Sequence, residues 1–195
     1  MSVRATAVSR WRPMPGLSSC GDAAVISEVK GVQLFAVIDG LGHGPDAEAS
    51  AQAAAVAVRA TASDGLDEVF ARVHGALGGL RGVVLAAIRI DAQGATFAGV
   101  GNIDIFGPEG VARPVSIPGI VGSGRYRFRP FSLDVRAGQR WVLASDGLRA
   151  SAVTTLLHAE TRPPADAFAE ALIAQAARPN DDACVLVIDF DEAAP

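Results

Sequence analysis

Apolar residues along the chain fall into short runs closed by Gly, Pro or Asp, the spacing of strands more than of long helices. Runs of Val, Ile and Phe predict strands at about 23–29, 32–39, 83–90, 95–100, 103–107, 111–116, 127–134, 140–145 and 183–190. Four helical stretches interrupt them. In the first, from Pro45 to Thr61, Pro45 suits an opening turn, Asp46 and Glu48 complement the helix dipole, and alanines fill most of the rest. So little side chain requires that helix to lie close against a sheet or another helix. The second runs from Leu66 to about Leu77, ended by Gly78–Gly79. "GLRASAVTTLLHAE" and "PADAFAEALIAQAA" predict two more, split by Pro163–Pro164. Helices inserted in blocks among mostly antiparallel strands predict an α+β layered sandwich. A doubly wound parallel sheet fits poorly, because helices do not alternate with strands.

Composition narrows this to one domain, 1–195, with no repeat or low-complexity linker to divide it. Half of the residues are hydrophobic and 19% are charged, which excludes a disordered chain. No stretch reaches the roughly 18 consecutive apolar residues of a membrane helix. "MSVRATAVSRWRPMPG" has no long apolar core and reads as mature protein, so no membrane and a cytoplasmic location are expected. A formal charge of −4 weighs against nucleic acid as a partner, though not against a local basic patch. Cys20 and Cys184 stand far apart without metal-ligand spacing and read as structural residues.

Candidate chemistry begins with acids at strand ends. "CGDAAVI" puts Asp22 at the start of a strand and "FAVIDGLG" puts Asp39 at the end of the next. "WVLASDGLRAS" ends a strand on Asp146, and "RPNDDACVLV" sets Asp181 and Asp182 before the last. Asp beside Gly is a common turn signal, so each alone is open to a purely structural reading. Together they raise an electrostatic problem. Two carboxylates 4 Å apart repel by about 4 kcal/mol at an effective dielectric near 20. Lys30 is the only lysine, and no arginine lies within three residues of Asp22 or Asp39. A divalent cation is then the plausible counter-charge. An all-oxygen set without His or Cys favours Mg²⁺ or Mn²⁺ over zinc, and the Gly40 carbonyl could join it. Two such ions sharing a hydroxide would suit in-line attack on phosphorus, and the chain offers no GxSxG or Cys–His nucleophile.

The ordered series "GDAAV", "VIDGLGHGPDA", "GVGNIDIFG", "PGIVG", "WVLASDGL" and "NDDACVLV" resembles the metal-dependent PPM-type serine/threonine phosphatases. Within them it is most similar to the SpoIIE-type bacterial branch and its short RsbX-like members, from about residue 20 to residue 190. The resemblance implies a four-layer αββα sandwich, two antiparallel sheets flanked by helices, with two Mn²⁺ or Mg²⁺ ions at one end. Carried over by motif, Asp39 and Asp22 are the catalytic acids. Asp39 would bridge both ions, the Gly40 carbonyl would ligate one, Asp22 would serve the second, and Asp146 and Asp181 would hold the first. Asp182 would orient a bound water or cap the turn. The implied reaction is hydrolysis of phosphoserine or phosphothreonine by a metal-bridging water, on phosphorylated STAS-domain proteins, either stressosome components or anti-sigma antagonists.

Two positions depart from larger relatives in eukaryotes. Leu41 stands where they carry a His, leaving His43 as a secondary candidate proton donor. Arg10 and Arg12 are the only nearby counterparts of their phosphate-binding Arg, and both read as solvated surface. In "GSGRYRFRPF", Arg125, Arg127 and Arg129 alternate with aromatics, so a strand there would present all three on one face, either as a docking face for an acidic or phosphorylated partner or as an ordinary solvated face. Asn102 and Asp104 lie in a Gly-rich stretch near the site; His74 and His158 read as surface or helix-end residues. Three rivals stay open: a phosphoprotein-binding pseudophosphatase, a small-molecule phosphomonoesterase on the same ions, and a structural domain whose Asp–Gly pairs are turns only.

Overall fold

Tight hairpins set the first sheet. In the computed structural model, which describes residues 3–124 and 126–192, β2 (Asp22–Val29) turns into β3 (Val32–Gly40) through Lys30 and Gly31, both with positive φ (53° and 77°). A two-residue turn of this hand fits the twist of the strands and fixes the register. Val29 pairs with Val32, and so, at the far end of the hairpin, Asp22 pairs with Asp39. β4 (Val83–Asp91), β5 (Gly94–Val100) and β7 (Phe131–Leu133) complete an antiparallel sheet in the order β2-β3-β4-β5-β7.

The second sheet draws on distant parts of the chain. Its order is β1-β9-β8-β6, from β1 (Val3–Arg12), β6 (Asp104–Phe106), β8 (Arg140–Ala144) and β9 (Ala183–Glu192), again antiparallel throughout. Between the sheets lies a core that includes Phe35, Val37, Phe97, Trp141, Leu186 and Ile188. Helices α1 (Pro45–Ala60) and α2 (Leu66–Ala76) cover the outer face of the first sheet over Ala51, Ala54, Val58, Phe70 and Ile38. Helices α3 (Ala150–Leu157) and α4 (Ala165–Ala176) cover the second over Phe168, Leu172, Val142 and Val187. Helix, sheet, sheet, helix: the expected four-layer αββα sandwich is the observed fold. Cys20 and Cys184 are both free and buried, and burial pushes the Cys20 thiol up to about 12.

Three expectations need correction. β1 was not foreseen as a strand; all ten of its residues pair with β9, from Val3 opposite Glu192 to Arg12 opposite Ala183. Residues 111–116 form no strand. Pro114 has no amide hydrogen for a ladder, Val115 points to solvent, and the segment hangs by side chains, with Ser116 Oγ donating to the Ile103 carbonyl at 2.7 Å. The strand expected over 127–134 shrinks to Phe131–Leu133 after Pro130. Arg127 and Arg129 are therefore not on a strand face, and Arg125 lies outside the described residues. The alternation survives without the ladder: Tyr126 and Phe128 turn inward onto Phe70, with ring centroids 6.4 and 5.1 Å away, and Arg127 and Arg129 are exposed.

Candidate active site

One end of the sandwich collects the acids. β2 begins there and β3 ends there; across the gap between the sheets, β8 runs out into Ser145 and Asp146 while Asp181 and Asp182 lead into β9. Asp39, Asp146 and Asp181 line a single cleft of about 590 Å³, together with Leu41, Gly42, His43, Asn102 and Gly119. Asp22 lies behind Asp39, 5% exposed, and bounds a smaller cavity of about 140 Å³ instead. Among the described residues no three His, Cys, Asp or Glu side chains already close on one point.

Close backbone packing explains the glycines. A Cβ on Gly40 would sit 2.3 Å from the Ala47 carbonyl oxygen, so only glycine lets α1 approach the end of β3. At Gly147 it would meet the Asp182 carbonyl oxygen at 1.7 Å, and the chain after Asp146 could not lie against the start of β9. The Asp–Gly pairs are turns and also fittings that bring carboxylates into one place.

Hydrogen bonds divide the acids by role. Asp182 accepts from Met14 N at 2.7 Å and from Gly21 N at 2.8 Å, one bond on each oxygen. These bonds tie the segment before β2 to the segment before β9. Asp22 accepts from Ser145 Oγ at 2.6 Å, while that hydroxyl accepts from Cys184 N at 2.9 Å. Asp146, exposed, accepts from Asn102 Nδ2 at 2.6 Å. Ser145 and Asn102 are the polar neighbours that the sequence does not single out for these roles. Ser145 had no visible signal, because its partners are 123 and 39 residues away; Asn102 at least sat in a glycine-rich turn.

Charge and burial act together on the carboxylates. Burial pushes Asp39 up to about 9, helped by the charges of Asp22, Asp146, Asp181 and Asp182. Asp22 rises to about 7, again through burial first, with Asp182, Asp146 and Asp181 adding to it against the Ser145 hydrogen bond. Asp181 is raised as well, by burial and then Asp146. Among the described residues, none of Asp22, Asp39, Asp146 and Asp181 forms an ion pair with Arg, Lys or His. Hard, oxygen-only donors without an ion-paired cation, three of them (Asp22, Asp39 and Asp181) raised by burial first and then by neighbouring charge, fit a divalent cation such as Mg²⁺ or Mn²⁺.

The remaining sequence candidates separate clearly. His43 is exposed on the cleft wall. Arg10 pairs with Asp166 and Glu170 on α4, and Arg12 donates to the Arg178 carbonyl; neither faces the cleft lining. His74 Nδ1 accepts from Gly122 N at 3.1 Å, and His158 Nε2 contacts the Gly107 carbonyl at 3.1 Å.

Comparison with known proteins identifies relatives of the same fold. Residues 30–191 match the family model of Stage II sporulation protein E (SpoIIE). Over 138 residues the chain is 26% identical to phosphoserine phosphatase RsbX of Bacillus subtilis (strain 168), covering 68% of this chain and 69% of that protein. It is similar to a chain solved in work on the bacterial stressosome, described as a modular system adapted to control secondary messenger signaling, with TM-score 0.81, 32% identity, and coverage of 96% of this chain and 100% of that one. RsbX in complex with magnesium shares the fold, with TM-score 0.83 at 21% identity over 96% of each chain.

Proposed function

Because the chain belongs to the SpoIIE family of PPM-type serine/threonine phosphatases, we propose that it removes phosphate from phosphoserine or phosphothreonine on STAS-domain regulators of a stressosome. The observation that carries this reading is the meeting of Asp22, Asp39, Asp146 and Asp181 at one end of the sandwich without ion-paired cations among the described residues. Those four, with the Gly40 carbonyl, are the residues that would hold two Mn²⁺ or Mg²⁺ ions. When bound, the ions would activate water for in-line attack and draw off charge from the phosphate.

The chain's own residues prepare that site. Ser145 holds the Asp22 carboxylate in one orientation from the opposite sheet, and Asn102 does the same for the exposed Asp146. Asp182 holds two backbone amides away from the cleft, whereas Asp181 lines it and, among the described residues, accepts only the Asp182 amide, which favours Asp181 as the ligand of that pair. Leu41 supplies no proton, so His43 on the cleft wall is the imidazole within the site that could protonate a departing serine oxygen. Removal of about −1.5 to −2 charges from a regulator is enough to change its partners.

The rival readings are weaker on specific grounds. A pseudophosphatase would lack metal acids, and all of them are here. The STAS-domain substrate is our inference from the RsbX and stressosome likenesses, and a cytoplasmic location is proposed with it; no helix among the described residues is long and apolar enough to cross a membrane. Hydrolysis of p-nitrophenyl phosphate with Mn²⁺ is expected to vanish on chelation and in Asp39→Asn. Activity that survives both rejects the metal-dependent reading. Phosphate release from phosphorylated STAS proteins, followed by mass spectrometry, tests the substrate; hydrolysis of the small ester alone points to a small-molecule phosphomonoesterase.

A further inference from the structure

A phosphate dianion entering a cleft lined by Asp39, Asp146 and Asp181 meets like charge, and a fixed positive group beside the cleft would offset it. The arginines around the cleft are mostly committed elsewhere. Arg178 donates Nε to the Asp146 carbonyl at 2.8 Å, and Arg149 serves the Gln175 and Ala177 carbonyls. Arg10 and Arg12 are spent on α4 and on the Arg178 backbone.

Arg81 is different. It lies just before β4, and the next residue, Gly82, accepts Leu41 N at 3.2 Å, which sews this stretch to the loop that follows Asp39. Its Nη1 comes within 3.0 Å of the point where a Gly42 side chain would begin, so the guanidinium lies over the bare backbone of a residue on the cleft wall. Nη2 donates to Asp46 Oδ2 at 2.6 Å, at the first turn of α1. The side chain is still 48% exposed. A guanidinium carries five N–H donors in a rigid fork, and Asp46 takes only one edge. Gly42, with φ of 90°, provides both the left-handed turn and the space in which the fork rests.

We propose that Arg81, held by Asp46 across Gly42 just outside the lining of the cleft, receives the substrate phosphate at its mouth. The inference rests on the phosphatase reading and adds a residue that neither the motifs nor the acid cluster include. A purely structural Arg81 would brace α1 and nothing more, and the two roles predict different kinetics. A phosphate contact is felt in binding and is shared by the product; a brace is felt in stability.

Arg81→Ala, Arg81→Lys and Asp46→Asn are compared with wild type on p-nitrophenyl phosphate in Mn²⁺, with inorganic phosphate as competing inhibitor and thermal melting as the fold check. The expected result for Arg81→Ala is a rise of about 10-fold in both KM and the phosphate inhibition constant with kcat little changed. Arg81→Lys should recover part of the loss, since it keeps charge without the fork, and Asp46→Asn should show a smaller shift of the same kind. Unchanged KM and phosphate inhibition in Arg81→Ala overturn the proposal. If that variant does not fold, the same two constants in Arg81→Lys and Asp46→Asn decide it, and wild-type values in both overturn it. A wild-type protein that hydrolyses no phosphomonoester overturns the phosphatase reading first, and this inference with it.

Discussion

Ser145 spans two sheets with one hydroxyl, donating a hydrogen bond to Asp22 and accepting one from the Cys184 amide. Ser145→Ala would strand a buried amide and free a buried carboxylate in the same stroke. A loss of about 1–3 kcal/mol in denaturant unfolding is expected, together with weaker Mn²⁺ binding by titration calorimetry. A wild-type midpoint would show that the hydroxyl is incidental. His43 makes a narrower claim. If it protonates the leaving oxygen, His43→Ala should slow hydrolysis of a phosphoserine peptide by about 10-fold or more and barely touch p-nitrophenyl phosphate, whose leaving group needs no proton. An equal effect on both substrates would remove the imidazole from that role.

At the scale of elements, fit between backbones dominates. Gly40→Ala would drive a methyl carbon against the Ala47 carbonyl and push α1 off the end of β3. The expected cost exceeds about 2 kcal/mol, read as a lowered melting temperature, with loss of metal binding because the Asp39 end of the strand moves too. The segment 126–130 carries a different prediction. Its aromatics are anchored on Phe70, Tyr126 lies beside Gly119 of the cleft wall, and Arg127 and Arg129 are exposed. Arg127→Glu with Arg129→Glu should weaken dephosphorylation of a protein substrate by about 10-fold or more while leaving p-nitrophenyl phosphate unaffected. Equal loss on both substrates, or none on either, would refute docking there.

These elements show what can be read from a linear pattern. Strands with tight hairpins and the four helices are legible because their signals are local: Lys30–Gly31, Pro45, Gly78–Gly79. The acids are legible for the same reason, each being an Asp at the edge of an apolar run. β1 is hard to read because "VRATAVSRWR" mixes polar and apolar residues as a half-covered edge strand must, and among the described residues its only ladder partner is β9. Residues 111–116 misled because their apolar content outweighed Pro114. Ser145, Asn102 and Arg81 gain meaning only from contacts made 35 to 123 residues away, and no window along the chain contains both partners.

For the whole molecule the raised carboxylates set a pH dependence. A carboxyl whose folded pKa lies above its unfolded value binds more protons when folded, so its contribution to stability declines as pH rises from about 4 through the folded value. For Asp22 and Asp39 that window extends to about 7 and about 9. The metal-free protein should therefore melt progressively lower from pH 5 toward pH 9. Mn²⁺ should restore the loss, raising the melting temperature most at alkaline pH, where ligands bind without first shedding protons. A metal-induced shift that is flat across this range would contradict the ligand assignment.

The pairing of β1 with β9 has a consequence for how the protein is made. As the chain leaves the ribosome, β1 emerges first yet has no ladder to join until residues about 180 positions later have been synthesised. The first sheet with α1 and α2 can gather early, since its hairpins are local. The acidic cleft cannot, for Asp181 and the clasp that Asp182 places on Met14 and Gly21 arrive only with β9. A nascent chain stalled before that strand lacks Asp181 and the Asp182 clasp, and the interval in which β1 waits with its backbone uncovered is when a chaperone would have most to hold.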